Sequence, residues 1–100
     1  MPELPEVQTV LDTLAYQMGN PVIEDIEIFW ENIIDGDTAN FRNQLRNHQI
    51  QSYRRLGKFL CFDCGDVMWI AHLRMEGKFY LQMPQEPYDQ KHVHVIFHLN

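Results

Sequence analysis

Apolar residues Val7, Val10, Leu11, Leu14, Ala15 and Met18 recur at the i, i+3, i+4, i+7 spacing that places them on one side of an α-helix. The spacing predicts an amphipathic helix from about Leu4 to Met18, closed by Gly19 as its C-terminal cap. Asn20-Pro21 predicts a turn. Val22 to Trp30 alternates as a half-buried strand does, with Ile26, Ile28 and Trp30 on one face. Asp37 or Thr38 is suited to cap a short second helix, with Phe41, Leu45 and Ile50 as its inward positions. From His48 onward the period changes. Short runs rich in β-branched and aromatic residues fall near 48–55, 58–63, 67–73, 77–83 and 92–99, divided by Gly or Pro. Cys64-Gly65-Asp66 predicts a hairpin turn, and Pro84 to Gln90 a loop. The pattern as a whole predicts an α+β fold, mainly β: an antiparallel β-sandwich flanked by an N-terminal helix and a second short helix.

One hundred residues make one domain. A hydrophobic content of 45% and twelve aromatic side chains suffice for a core. No apolar run reaches membrane-spanning length, and the first residues are acidic, unlike a signal peptide. The expected compartment is therefore the cytoplasm, or the nucleoid region within it, with no membrane partner. There is no internal repeat or low-complexity stretch. Asn100 falls at the end of an apparent strand, so the expectation is a chain cut from something longer.

Charge changes this picture by its distribution. The net value is −6, yet residues 1–41 carry nine acidic side chains and no Lys or Arg, whereas residues 42–100 carry eight basic and five acidic ones. The first part reads as a solvated acidic face. The second, with all five histidines, leaves room for a local basic strip. A nucleic-acid binder made of this chain alone would be electrostatically weak, because phosphate neutralisation supplies most sequence-independent affinity. Cys61 and Cys64 form a C-x-x-C, but no second pair completes a four-ligand site, and strand positions three apart point to opposite faces. Two reduced structural cysteines are expected, and no metal.

The terminus carries the candidate chemistry. Removal of Met1 before a small residue leaves Pro2 with a free secondary amine beside Glu3. An α-amino group titrates near pH ~7.7–8.0, so a useful fraction is unprotonated at neutral pH. Such an amine can attack an electrophilic carbon and form an iminium intermediate, with Glu3 placed to give or take a proton. The plain alternative is helix initiation, which Pro5 and Glu6 satisfy with no chemistry.

Four segments carry a resemblance. Pro2-Glu3-Leu4-Pro5-Glu6-Val7 resembles the N-terminal signature of formamidopyrimidine-DNA glycosylases (Fpg, or MutM). Arg54-Arg55-Leu56-Gly57-Lys58-Phe59-Leu60 resembles the strand turn with that family's lysine. His72-Leu73-Arg74-Met75-Glu76-Gly77 resembles its H-L-x-M-x-G loop, and Lys91-His92-Val93-His94-Val95 its H-x-H-V segment. They run in order from residue 2 to residue 95. The resemblance implies the N-terminal catalytic domain, over 1–100, of a bifunctional glycosylase and AP lyase. Its substrates would be oxidised purines (8-oxoguanine, formamidopyrimidines) in damaged double-stranded DNA.

By that resemblance Pro2 is the nucleophile, Glu3 protonates the sugar ring oxygen, and Lys58 acts near the lesion's phosphates in β-elimination. His72 and His92 contact DNA phosphates, and His92 is preferred to His94. Met75 is the apolar wedge that fills the gap left by the flipped nucleotide, and Arg74 sits beside it where other members carry Gly or Arg. The plain readings are a solvated turn lysine, packed histidines such as His48 and His98, and a turn methionine on the sheet. The family's helix–two-turn–helix and zinc-finger domains lie beyond these residues, so no cofactor is expected in this chain and Zn²⁺ only in that finger. The isolated chain is expected to bind DNA poorly and to turn over little. Two other readings stand: an endonuclease VIII-like glycosylase for oxidised pyrimidines, whose usual Pro-Glu-Gly-Pro-Glu start differs at Leu4, and a catalytically silent domain. A monomer is expected, and an exposed sheet edge could give an artefactual dimer.

Overall fold

The computed structural model describes residues 3–74, 77–83, 86–87 and 92–100. Its elements are α1 (Leu4–Met18), β1 (Ile23–Ile28), a 3₁₀ turn (Glu31–Ile33), α2 (Thr38–Leu45), β2 (Ser52–Leu56), β3 (Phe59–Asp63), β4 (Met68–His72) and β5 (Val95–Leu99). β1 pairs antiparallel with β5, and β2-β3-β4 form a second antiparallel sheet. The α+β sandwich flanked by two helices is the one the pattern predicts.

Local chemistry accounts for the boundaries. α1 buries Val7, Leu11 and Leu14 and ends at Gly19, whose φ of 67° lies in the left-handed region. Asp37 caps α2, its side chain accepting from the Ala39 and Asn40 N–H groups. At 64–67 the Cys64 N–H donates to the Val67 carbonyl, and Gly65, at φ 93°, donates its N–H to the Asp63 carboxylate.

Four details differ from the predicted pattern. The buried positions of β1 are Ile23 and Ile26, three apart, because a register irregularity between Ile23 and Asp25 breaks the alternation. Trp30 lies past the strand end and is half exposed. Residues 77–83 form no strand: the Gly77 N–H turns back onto the Leu73 carbonyl, and Phe79 folds against Phe62 and Trp69. Ile50 is fully buried, but from the connection after α2 rather than from the helix.

The two sheets meet through stacked rings. Trp69 of β4 lies between Phe62 of β3 (centroids 4.1 Å) and Phe97 of β5 (4.0 Å), with Tyr53 and Phe41 edge-on at the ends of the stack. On the three-stranded sheet Tyr53, Leu60, Phe62, Trp69 and Ala71 belong to the core, while Leu56, Phe59 and Ile70 are exposed on the other face. β3 is central, so Leu60, Cys61 and Phe62 are all buried. Cys64 joins the core cluster and Cys61 does not. The two thiols are free, each enclosed on its own side, and burial pushes that of Cys64 up. Among the described residues no three His, Cys, Asp or Glu side chains converge as metal ligands, and no helix is long and apolar enough to cross a membrane.

Candidate functional site

The first turn of α1 is fixed by its own backbone. The Glu3 carbonyl accepts from the Glu6 and Val7 N–H groups at 3.0 Å each, and the Glu3 N–H donates to Glu6 Oε1 at 3.4 Å. Glu3 is exposed at this end of the helix.

Lys58 is carried by a two-residue turn. β2 and β3 are joined by Gly57 and Lys58 alone, with Leu56 and Phe59 paired across the turn. Gly57 takes φ 58°, as the first position of a two-residue hairpin of type II′ requires. Lys58 is half-buried, and among the described residues its ammonium makes no hydrogen bond or ion pair.

Two contacts orient α1 over this turn. The Tyr53 hydroxyl donates to the Gly19 carbonyl at 2.6 Å, holding the C-terminal end of the helix at the start of β2. Arg55 Nε donates to Gln8 Oε1 at 2.9 Å, holding its N-terminal half at the end of β2. The first turn of α1 therefore lies at the Gly57-Lys58 end of the sheet.

His72 reaches the same end. It is the last residue of β4 and shares a register line with Phe59 and Leu56. Its ring lies 4.9 Å from that of Phe59. The chain then enters the loop at Leu73, which is buried, and Arg74, which is exposed at φ 60°. Gly77 closes the loop with a 2.8 Å bond from its N–H to the Leu73 carbonyl. A Cβ at Gly77 would stand 2.2 Å from that oxygen, so only glycine fits. A shallow, mainly apolar groove of about 280 Å³ runs beneath the loop base, between α1 and residues 77–81.

Glu3, Lys58, His72 and Arg74 thus gather at one end of the three-stranded sheet, together with Arg55. Pro2 and Met75, the expected nucleophile and wedge, lie outside the described residues. His92 lies outside that end of the sheet, exposed in the turn before β5 of the other sheet. His94 does not share a strand with it: its ring packs 4.9 Å from Trp30, and its carbonyl accepts from the Phe29 N–H. His48 is half-buried and bonded to Asp66 and the Arg46 carbonyl; His98 is paired with Glu27 but exposed. Gln8 and Arg55 escaped the sequence reading. The only trace of their link is that Arg55 alternates with Tyr53 and so shares its helix-covered face.

Residues 1–100 match the family model of the formamidopyrimidine-DNA glycosylase N-terminal domain. The chain belongs to the formamidopyrimidine-DNA glycosylase family. The enzyme of that name from Bacillus subtilis (strain 168) is 48% identical over 99 residues, covering 97% of this chain and 36% of the relative. That of Streptococcus pneumoniae is 43% identical over 98 residues, covering 98% and 35%. The structure resembles wild-type Lactococcus lactis Fpg (MutM) in complex with N7-benzyl-Fapy-dG-containing DNA, with a TM-score of 0.91 and 35% identity over 98% of this chain and 36% of that one. The L. lactis Fpg complex with abasic-site DNA gives 0.91 and 34%, over 98% and 37%. The chain spans little more than a third of the length of the curated relatives it matches.

Proposed function

We propose that this chain is the N-terminal catalytic domain of a base-excision repair enzyme. It removes oxidised purines, 8-oxoguanine and formamidopyrimidines, from double-stranded DNA and then cleaves the strand by β,δ-elimination. The observation that carries the reading is the gathering of Glu3, Lys58, His72 and Arg74 at the end of the sheet where α1 begins, in a chain of this family. The L. lactis relatives were captured on DNA containing Fapy-dG and an abasic site.

The chemistry follows from an amine meeting an anomeric carbon. The damaged nucleotide leaves the stack first. With Met1 removed, the Pro2 nitrogen attacks C1′ as the base departs with the bonding pair. Glu3 gives a proton to the ring oxygen, and the sugar opens to an iminium. That group acidifies the C2′ proton, whose loss expels the 3′ phosphate; a second elimination releases the 5′ phosphate. The Lys58 ammonium stabilises the departing phosphate. His72, Arg74 and His92 hold phosphates on either side, and Met75 occupies the vacated space in the stack. The reading places the protein at the nucleoid, in the cytoplasm, as a monomer.

Borohydride trapping on an oligonucleotide with one 8-oxoguanine tests it. The methionine-free protein should give a covalent adduct that Pro2→Gly abolishes, and intact mass establishes that Met1 is gone. No adduct from the methionine-free chain makes it a catalytically silent domain. Stronger trapping on an oxidised pyrimidine than on 8-oxoguanine makes it endonuclease VIII-like.

A further inference from the structure

Arg55 joins two parts of the candidate site that no other described side chain joins. Its Nε donates to Gln8 Oε1 on α1 at 2.9 Å, and its Nη1 donates to the Gly57 carbonyl at 2.8 Å. Gln8 is itself held by a bond from its Nε2 to Asp12 Oδ1 one turn further along, at 2.9 Å. One end of this chain of bonds is helix; the other is the peptide that leads into Lys58. Glu3 lies five residues before Gln8, about 7.5 Å along the axis at ~1.5 Å per residue. A guanidinium is rigid and planar, so its two donors fix the helix and the turn relative to each other, which a flexible ammonium cannot do.

Resting on the glycosylase reading above, we propose that Arg55 is a positioning residue. It sets Lys58 against the first turn of α1, so that the ammonium meets the phosphate that departs from a sugar held at the chain terminus. Arg55 touches no reacting atom; it acts through the Gly57 carbonyl. The hairpin alone does not supply this restraint, because β2–β3 pairing fixes Gly57 relative to the sheet and makes no bond to the helix. Tyr53 holds only the far end of the helix.

The test separates the two steps of the reaction. The substrate is a duplex with a single abasic site, whose C1′ aldehyde needs no base removal, and the protein is the methionine-free chain. Iminium formation is read by borohydride trapping and elimination by strand cleavage. Arg55→Gln should leave trapping within about twofold and slow cleavage about tenfold, the scale expected of a sub-ångström misplacement. Gln8→Leu, which breaks the brace from the helix side, should do the same. Gln8→Glu, which keeps the acceptor, should restore cleavage, and Arg55→Gln should add little to the defect of Lys58→Gln. Thermal unfolding of each variant reports whether it folds.

Equal loss of trapping and cleavage, in step with a lowered Tm, makes Arg55 merely structural and overturns the proposal. Weaker DNA binding with a flatter salt dependence makes it a direct phosphate contact and also overturns it. If the unsubstituted chain traps nothing, the glycosylase reading itself falls and takes this inference with it; trapping with unchanged cleavage in Arg55→Gln sinks the inference alone.

Discussion

Gly77 shows what one hydrogen in place of a methyl group does for a loop. Its amide closes the turn on the Leu73 carbonyl, and the missing Cβ is what lets that oxygen approach. Gly77→Ala should force the backbone apart and cost about 1–3 kcal/mol, typical of overpacking, seen as a fall in Tm. Arg74 is the opposite case, since it occupies φ 60° with a full side chain. A left-handed residue with a Cβ is strained by about 1–2 kcal/mol, of which glycine's extra freedom in the unfolded chain takes back about 0.5–1. Arg74→Gly should therefore raise the Tm slightly while removing a cation from the site end. Both residues stand in the motif His72-Leu73-Arg74-Met75-Glu76-Gly77, which was legible in the sequence as a motif. The close approach at Gly77 was not, because it depends on two backbone atoms four residues apart. The same limit hid Arg55, whose partners on α1 and at Gly57 are fixed only once the helix is laid on β2.

Elements with a single dominant pattern were legible and those set by their neighbours were not. α1 has one apolar stripe and a glycine stop, and its observed bounds are the predicted ones. The run at 77–83 reads as a strand by composition, yet finds no partner among the described residues and contributes Phe79 to the aromatic stack instead. β1 keeps its place despite broken alternation because α2 is tied to it by charge. Arg42 donates to both oxygens of Asp25, at 2.7 and 3.0 Å, and Arg46 stands 3.7 Å away. The Arg42 hydrogen bonds, then that of the Ile26 N–H, hold the Asp25 carboxyl well below the usual carboxylate range. A carboxyl depressed on folding stabilises above its unfolded value, and that contribution disappears as the pH falls through the folded one. Asp25→Asn should therefore lower Tm at neutral pH, and the gap from the parent chain should close as the pH drops below about 4. The pair is exposed, with 44% and 39% of the side-chain surfaces open, so 1 M salt should narrow the gap as well. A gap independent of pH would mean that the link between α2 and β1 is not electrostatic.

At the scale of the whole molecule, packing and charge act on different sides. Trp69 holds the sheets together from the inside, so the site end of β2-β3-β4 is displayed on a rigid body. The charges on that body oppose each other. Arg54, Lys58, Arg74 and Lys78 lie on or beside the three-stranded sheet, Arg55 being turned to Gln8 and Gly57, whereas nine carboxylates crowd the first 41 residues. Of those nine, Asp25 is neutralised by Arg42 and Arg46 and Glu27 faces His98, but most of the others are exposed with no cation beside them among the described residues. A duplex approaching the site end meets at most about four cations. Counterion release scales as about 0.9 per neutralised phosphate, so the slope of log K against log salt should be no steeper than about −4. Affinity at physiological salt should sit in the range of non-specific binding, about 10⁻⁴ to 10⁻⁶ M. Anisotropy titrations of a labelled abasic duplex between about 50 and 200 mM salt measure both quantities. Nanomolar binding or a slope near −8 would require a phosphate track that these four side chains do not form. A weak, shallow response would instead place the burden of DNA affinity outside these hundred residues and leave to them the positioning of an amine, a carboxyl group and a lysine around one sugar.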